Sequence, residues 1–173
     1  MAARCAAERI WPAATVVERE LSHGLVAARM VQAFRMRMLT PVEPRVRVEV
    51  VDVQAVTDKE AGRWRVTWLV TNPGPAPLTV ESAWVPHGRF RGDSRIALGY
   101  LIREAETCRI SATVSAHEVP GTALENAFLI VRAQAGGDRW QIFTRMTVQF
   151  DADAVPRPRI EAITLQAISG SVE

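Results

Sequence analysis

Hydrophobic positions recur along this chain with two different periods, and the change falls near Pro41. Before it, Val17, Leu21, Leu25, Val26, Met30, Phe34 and Met38 recur at helical spacing through Ala-rich sequence, and Thr15 with Glu18 forms a capping-box pattern. This predicts an N-terminal amphipathic helical segment with its linker over residues 1–41, with Gly24 as its weak point. The run "FRMRM" also alternates with period two, so Phe34, Met36 and Met38 equally suit the start of a strand. Because this segment fits a β fold least, the alternative to a helix is a start of translation at Met30, Met36 or Met38.

From Arg45 the period is two, which predicts a β domain over residues 42–173. "RVRVEV" sets Val46, Val48 and Val50 against Arg45, Arg47 and Glu49, and the phase then flips to Val51, Val53 and Ala55, the signature of a bulge or a change of sheet. "RWRVTWLVTN" sets Trp64, Val66 and Trp68 against Arg63, Arg65 and Thr67 and stops at the turn "NPGPAP". In "LTVESAW", Leu78, Val80 and Trp84 are in phase, and in "TCRISATVS" Cys108, Ile110, Ala112 and Val114 form the dry face. "NAFLIVRAQ" is apolar on both faces and predicts a central strand. "AGGD" then predicts a hairpin into "RWQIFTRMTVQF", with Trp140, Ile142, Met146, Val148 and Phe150 inward. Pro156 and Pro158 break the chain before a last strand carrying Ile163, Leu165 and Ala167. By phase, Trp64, Trp68, Trp84 and Trp140 all belong inside or against the core.

Seven to eight strands without intervening helices predict an all-β antiparallel sandwich or barrel. The stretch "WRVTWLVTNPGPAPLTVESAW" resembles the second and third strands of immunoglobulin-like domains of the bacterial cell-adhesion-related type, where an apolar strand meets an Asn-x-Gly turn before a Leu/Val strand. The likeness spans about residues 45–150 and implies an immunoglobulin-like sandwich. The antibody branch is excluded, since no Cys stands on the strands holding Trp68 and Leu129 and no Tyr is placed for a tyrosine corner.

At 173 residues, with 48% hydrophobic and 23% charged positions, the chain is long and apolar enough to bury one core without staples. Lys59 is the only lysine, and 21 basic against 19 acidic residues leave a net charge of +2, too small for a dedicated nucleic-acid binder. Cys5 and Cys108 have no CxxC or His/Cys spacing, which implies free thiols, no zinc site and no cofactor. No run is long enough to span a membrane, and "IWPAATVV" is a poor signal-peptide core, so a cytoplasmic location is expected.

The densest polar stretch is "VPHGRFRGDSRIALGY", Val85 to Tyr100. Gly92-Asp93-Ser94 matches part of an esterase block, yet no Gly-x-Ser-x-Gly elbow or late Asp-x-x-His accompanies it, so no catalytic residue is assigned. Arg91-Gly92-Asp93 has the form of an adhesion tripeptide, but the simpler reading is a polar connection in which Gly88 and Gly92 supply turn dihedrals. His87, His117, Cys108 and the methionines lack the clustering of a copper site. What remains is interaction. A non-enzymatic protein-binding or structural module is expected, able to self-associate, with His87, Arg89, Arg91 and Asp93 as the binding residues. The alternative is a binder of nucleic acid or another anionic surface, through Arg45, Arg47, Arg63 and Arg65 lined up on one sheet face.

Overall fold

The computed structural model describes residues 43–57 and 61–168; the expected N-terminal helical segment lies outside them. The described chain is all β, with ten strands: β1 (Arg47–Ala55), β2 (Arg63–Thr71), β3 (Leu78–Trp84), β4 (Pro86–His87), β5 (Phe90–Gly92), β6 (Ile96–Ile102), β7 (Thr107–Ser115), β8 (Ala123–Ala135), β9 (Asp138–Phe150) and β10 (Pro156–Ile168). They form two antiparallel sheets, one in the order β1-β2-β7-β5-β4 and one in the order β10-β9-β8-β3-β6. The alternating inner residues of both sheets make a single core that includes Val66, Trp68, Val70, Ile110, Val114, Leu129, Val131, Ile142 and Met146. Among the described residues no helix is long and apolar enough to cross a membrane.

Most strands follow the periodicity. β7 buries Cys108, Ile110, Ala112 and Val114, and the phase flip in β1 is a bulge between Val50 and Asp52. At the "AGGD" hairpin Ala135 pairs with Asp138, and Gly136 and Gly137 have φ of 60° and 92°, the left-handed pair that a two-residue turn of matching twist requires. The turn after β2 is locked by Asn72, which is 1% exposed. Its amide donates to the carbonyls of Ala76 (2.8 Å) and Ile102 (3.1 Å), while its Oδ1 accepts from the Gly74 N–H at 3.0 Å. One side chain thus ties the end of β2, the turn and the end of β6 together.

Four expectations fail. First, β3 does not keep one phase: a bulge between Val80 and Ser82 turns Trp84 to the outer face while Ala83 and Val85 go inward. Second, Pro156 and Pro158 do not interrupt a strand but lie within the 13-residue β10, opposite Phe150 and Val148. β10 is an edge strand, where a missing N–H is tolerated. Third, Val85–Tyr100 is not a simple connection, since it holds β4, β5 and most of β6 and brings the strand number to ten. Strands of two and three residues carry no readable period. Fourth, Gly88 and Gly92 adopt no positive φ; the turn is made without it.

Candidate protein-contact surface

The β4–β5 hairpin pairs Pro86 with Arg91 and His87 with Phe90, and β5 continues the first sheet by pairing Arg91 with Ser115 and Gly92 with Val114 on β7. Phe90 is fully buried and anchors the hairpin in the core. Of the four residues expected to bind, His87 lies on β4 and Arg91 on β5, while Arg89 stands in the turn between them and Asp93 directly follows β5. The Arg89 guanidinium grips both carboxylate oxygens of Glu118, with its Nε 2.8 Å from Oε1. That bond, and then the Arg89 charge with a smaller part from His87, hold Glu118 below the ordinary carboxylate range, and the same bond raises Arg89. His87 accepts the Arg89 backbone N–H at Nδ1, 3.3 Å away.

Asp93 donates its backbone N–H to the Thr113 carbonyl at 3.2 Å, and its carboxylate meets Arg63 at 2.6 Å. The Arg-Gly-Asp tripeptide thus lies along a sheet margin with its aspartate ion-paired, not at a loop tip. His87 and Arg89 form one cluster with Glu118. Arg91 and Asp93 face a different neighbourhood, a shallow open pocket of about 380 Å³ shared with Trp84, Val85, Pro86, Ser94 and Arg95.

Trp84 leads to a feature that periodicity missed. It pairs across the sheet with Ile130 on β8, and Ile130 pairs with Phe143 on β9. Their chain neighbours Ala83, Leu129, Val131, Ile142 and Thr144 are buried inside, so strand alternation puts Trp84, Ile130 and Phe143 on the outer face in one straight rank. Phe128, two residues along β8 from Ile130, shares that face. Trp84, Phe128 and Phe143 are half-buried, while Ile130, flanked on both sides, is 8% exposed without belonging to the core cluster. Arg95 stacks on the Trp84 ring, its Cζ 4.0 Å from the centroid, and Arg132 reaches the same ring at 5.8 Å. The signal for this rank was present: "NAFLIVRAQ" is apolar on both faces. Only the bulge in β3 brings Trp84 into line with it.

The four arginines of the anionic-surface reading do lie on paired strands, but antiparallel pairing separates them. Arg47 is opposite Thr71, while Arg63 and Arg65 are at the other end of the nine-residue β2, opposite Ser115 and Thr113. At ~3.3 Å per residue this is on the order of 25 Å. Arg45 lies against Gly74, at the Arg47 end. Arg47 meets Glu49 at 3.5 Å and Arg63 meets Asp93, so two of the four charges are matched locally.

Cys108 is buried on the inner face of β7, and burial pushes its thiol up to about 11. Among the described residues no three His, Cys, Asp or Glu side chains gather into a metal-sized group. A larger groove of about 740 Å³ on the second sheet is lined by Glu125, Arg145, Thr147, Gln149, Arg159 and Glu161, but Glu161 already receives Arg145 (3.3 Å) and the Thr147 hydroxyl. No known protein-family model matches the chain, and no curated protein is significantly similar to it.

Proposed function

We propose that the described unit is a non-enzymatic, immunoglobulin-like protein-interaction module. The observation that carries the reading is the outward rank of Trp84, Ile130 and Phe143 across three adjacent strands, since a contiguous apolar row on an open sheet face is retained where a partner covers it. Strand order supports the immunoglobulin-like part. With β1, β2 and β7 taken as strands A, B and E, and β3, β8 and β9 as C, F and G, the sheets divide as in that fold, and β6 lies beside C. β5 occupies the place beside E where a D strand runs, although it precedes β6 in sequence, and β10 is additional. The buried, unpaired Cys108 suits the reducing cytoplasm.

The contact surface on this reading is Trp84 with the rank behind it, joined at the shallow pocket by Arg91 and Asp93. His87 and Arg89 serve the Glu118 cluster beside it. Binding of nucleic acid or another anionic surface has less behind it, because its four arginines are split between the two ends of a sheet.

The test is capture of partners from source-cell extract by the full tagged chain and by a Trp84→Ala/Phe143→Ser variant, whose folding is checked by circular dichroism. Loss of a specific protein from the variant's capture is expected. Identical captures, with the variant folded, would sink the reading.

A further inference from the structure

Resting on the interaction-module reading, we propose that the rank on the second sheet takes an acidic, apolar-anchored segment of a partner protein. Leu- or Phe-like side chains would lie over Ile130 and Phe143, and carboxylates would meet Arg95 and Arg132.

Charge around the apolar centre selects the occupant. The two cations at the Trp84 end of the rank are both exposed, and among the described residues neither meets a carboxylate; each is held instead against the Trp84 ring. Arg145, opposite Phe128, is already neutralised by Glu161 at 3.3 Å, and Gln141, opposite Arg132, is uncharged. A partner laid on Trp84, Ile130 and Phe143 therefore brings its rim against two uncompensated guanidiniums, which favour carboxylates and repel ammonium groups.

Other occupants match less well. The chain's own residues 1–42 carry six arginines against three glutamates, the same sign as the rim. A second copy laid face to face would bring the same two cations to the shared surface from both sides, like charge against like. A nucleic acid would lose the rank's largest stacking platform, since the Trp84 face is taken by Arg95 at 4.0 Å.

The full chain is titrated, by fluorescence anisotropy, with two labelled peptides that share Leu and Phe anchors and differ only in carrying Glu or Lys between them, and with a labelled single-stranded oligonucleotide. We expect the Glu peptide to bind at least about tenfold tighter than the Lys peptide, with the preference weakening as salt is added. Arg95→Glu/Arg132→Glu should reverse the preference, and Trp84→Ala should weaken both peptides. If the double reversal does not fold, Arg95→Gln/Arg132→Gln, which removes charge but keeps polar side chains, should abolish the preference. Equal binding of the two peptides, a preference unchanged by these substitutions, or tighter binding of the oligonucleotide would each overturn the proposal.

The two readings fail separately. A cellular partner lost with Trp84→Ala/Phe143→Ser but retained by Arg95→Glu/Arg132→Glu would leave the module standing and remove its acidic partner.

Discussion

On the outer face of the first sheet, β2 and β7 meet as Thr67 with Ser111 and Thr71 with Thr107, hydroxyl to hydroxyl at 2.9 Å in each pair. Across the second sheet the corresponding rank is Trp84, Ile130 and Phe143. Both sheets bury the same kind of aliphatic inner face, so the core does not explain the contrast. Cross-strand hydroxyl pairs satisfy each other, so Thr67 and Thr71 are buried without a lost hydrogen bond. An apolar rank on an open face gains only when something else covers it. The polar groups of the first sheet's outer rank satisfy one another, whereas the apolar rank of the second has no such partner within its own sheet.

The sharpest test of inner against outer is a pair of tryptophans in the same fold. Trp68 is fully buried, and Trp68→Ala is expected to cost about 3 to 5 kcal/mol in urea denaturation. Trp84→Ala, which removes a half-buried ring and its two guanidinium contacts, should cost about 1 kcal/mol. Equal costs would mean that Trp84 is a core residue and the outer rank is not a surface. Next in size is Asn72→Ala, expected to cost roughly 3 kcal/mol because it leaves two carbonyls and one N–H without their partner at a buried turn. A loss below about 0.5 kcal/mol would show that water takes over these bonds.

Cys108 tests the inner face of the first sheet. The unfolded chain ionises this thiol from its ordinary value of 9.0, whereas the fold holds it neutral to about 11. Stability contributed by the buried thiol is therefore complete below pH 9 and declines as pH rises toward 11. Thermal melts across that window should fall more for the wild type than for Cys108→Val, and parallel profiles would place the thiol in contact with water.

The smallest effect has the opposite sign. Thr144 is fully buried and its Oγ1 finds no hydrogen-bond partner among the described residues. Thr144→Val, of nearly equal shape, should stabilise by about 1 kcal/mol. Destabilisation would point to a hydroxyl that the core uses.

Period-two alternation fixed which residues of β2, β7 and β9 face inward, because a strand buried on one face leaves its pattern in every second position. It likewise announced the bulge in β1, the Gly136-Gly137 hairpin and the central place of β8. Tertiary structure alone decided the rest. β4 and β5 are too short to carry a period and exist because Phe90 reaches the core and β7 offers them an edge. Pro156 and Pro158 became strand residues because β10 is at an edge. Arg45 and Arg47 were parted from Arg63 and Arg65 by the direction of pairing, which a list of alternating residues does not contain. The outer rank needed both kinds of information. Phe128 and Ile130 were visible as apolar residues with no inner face left to fill. Trp84 joined them through the bulge between Val80 and Ser82, a shift of one residue that sends every later side chain of the strand to the opposite face.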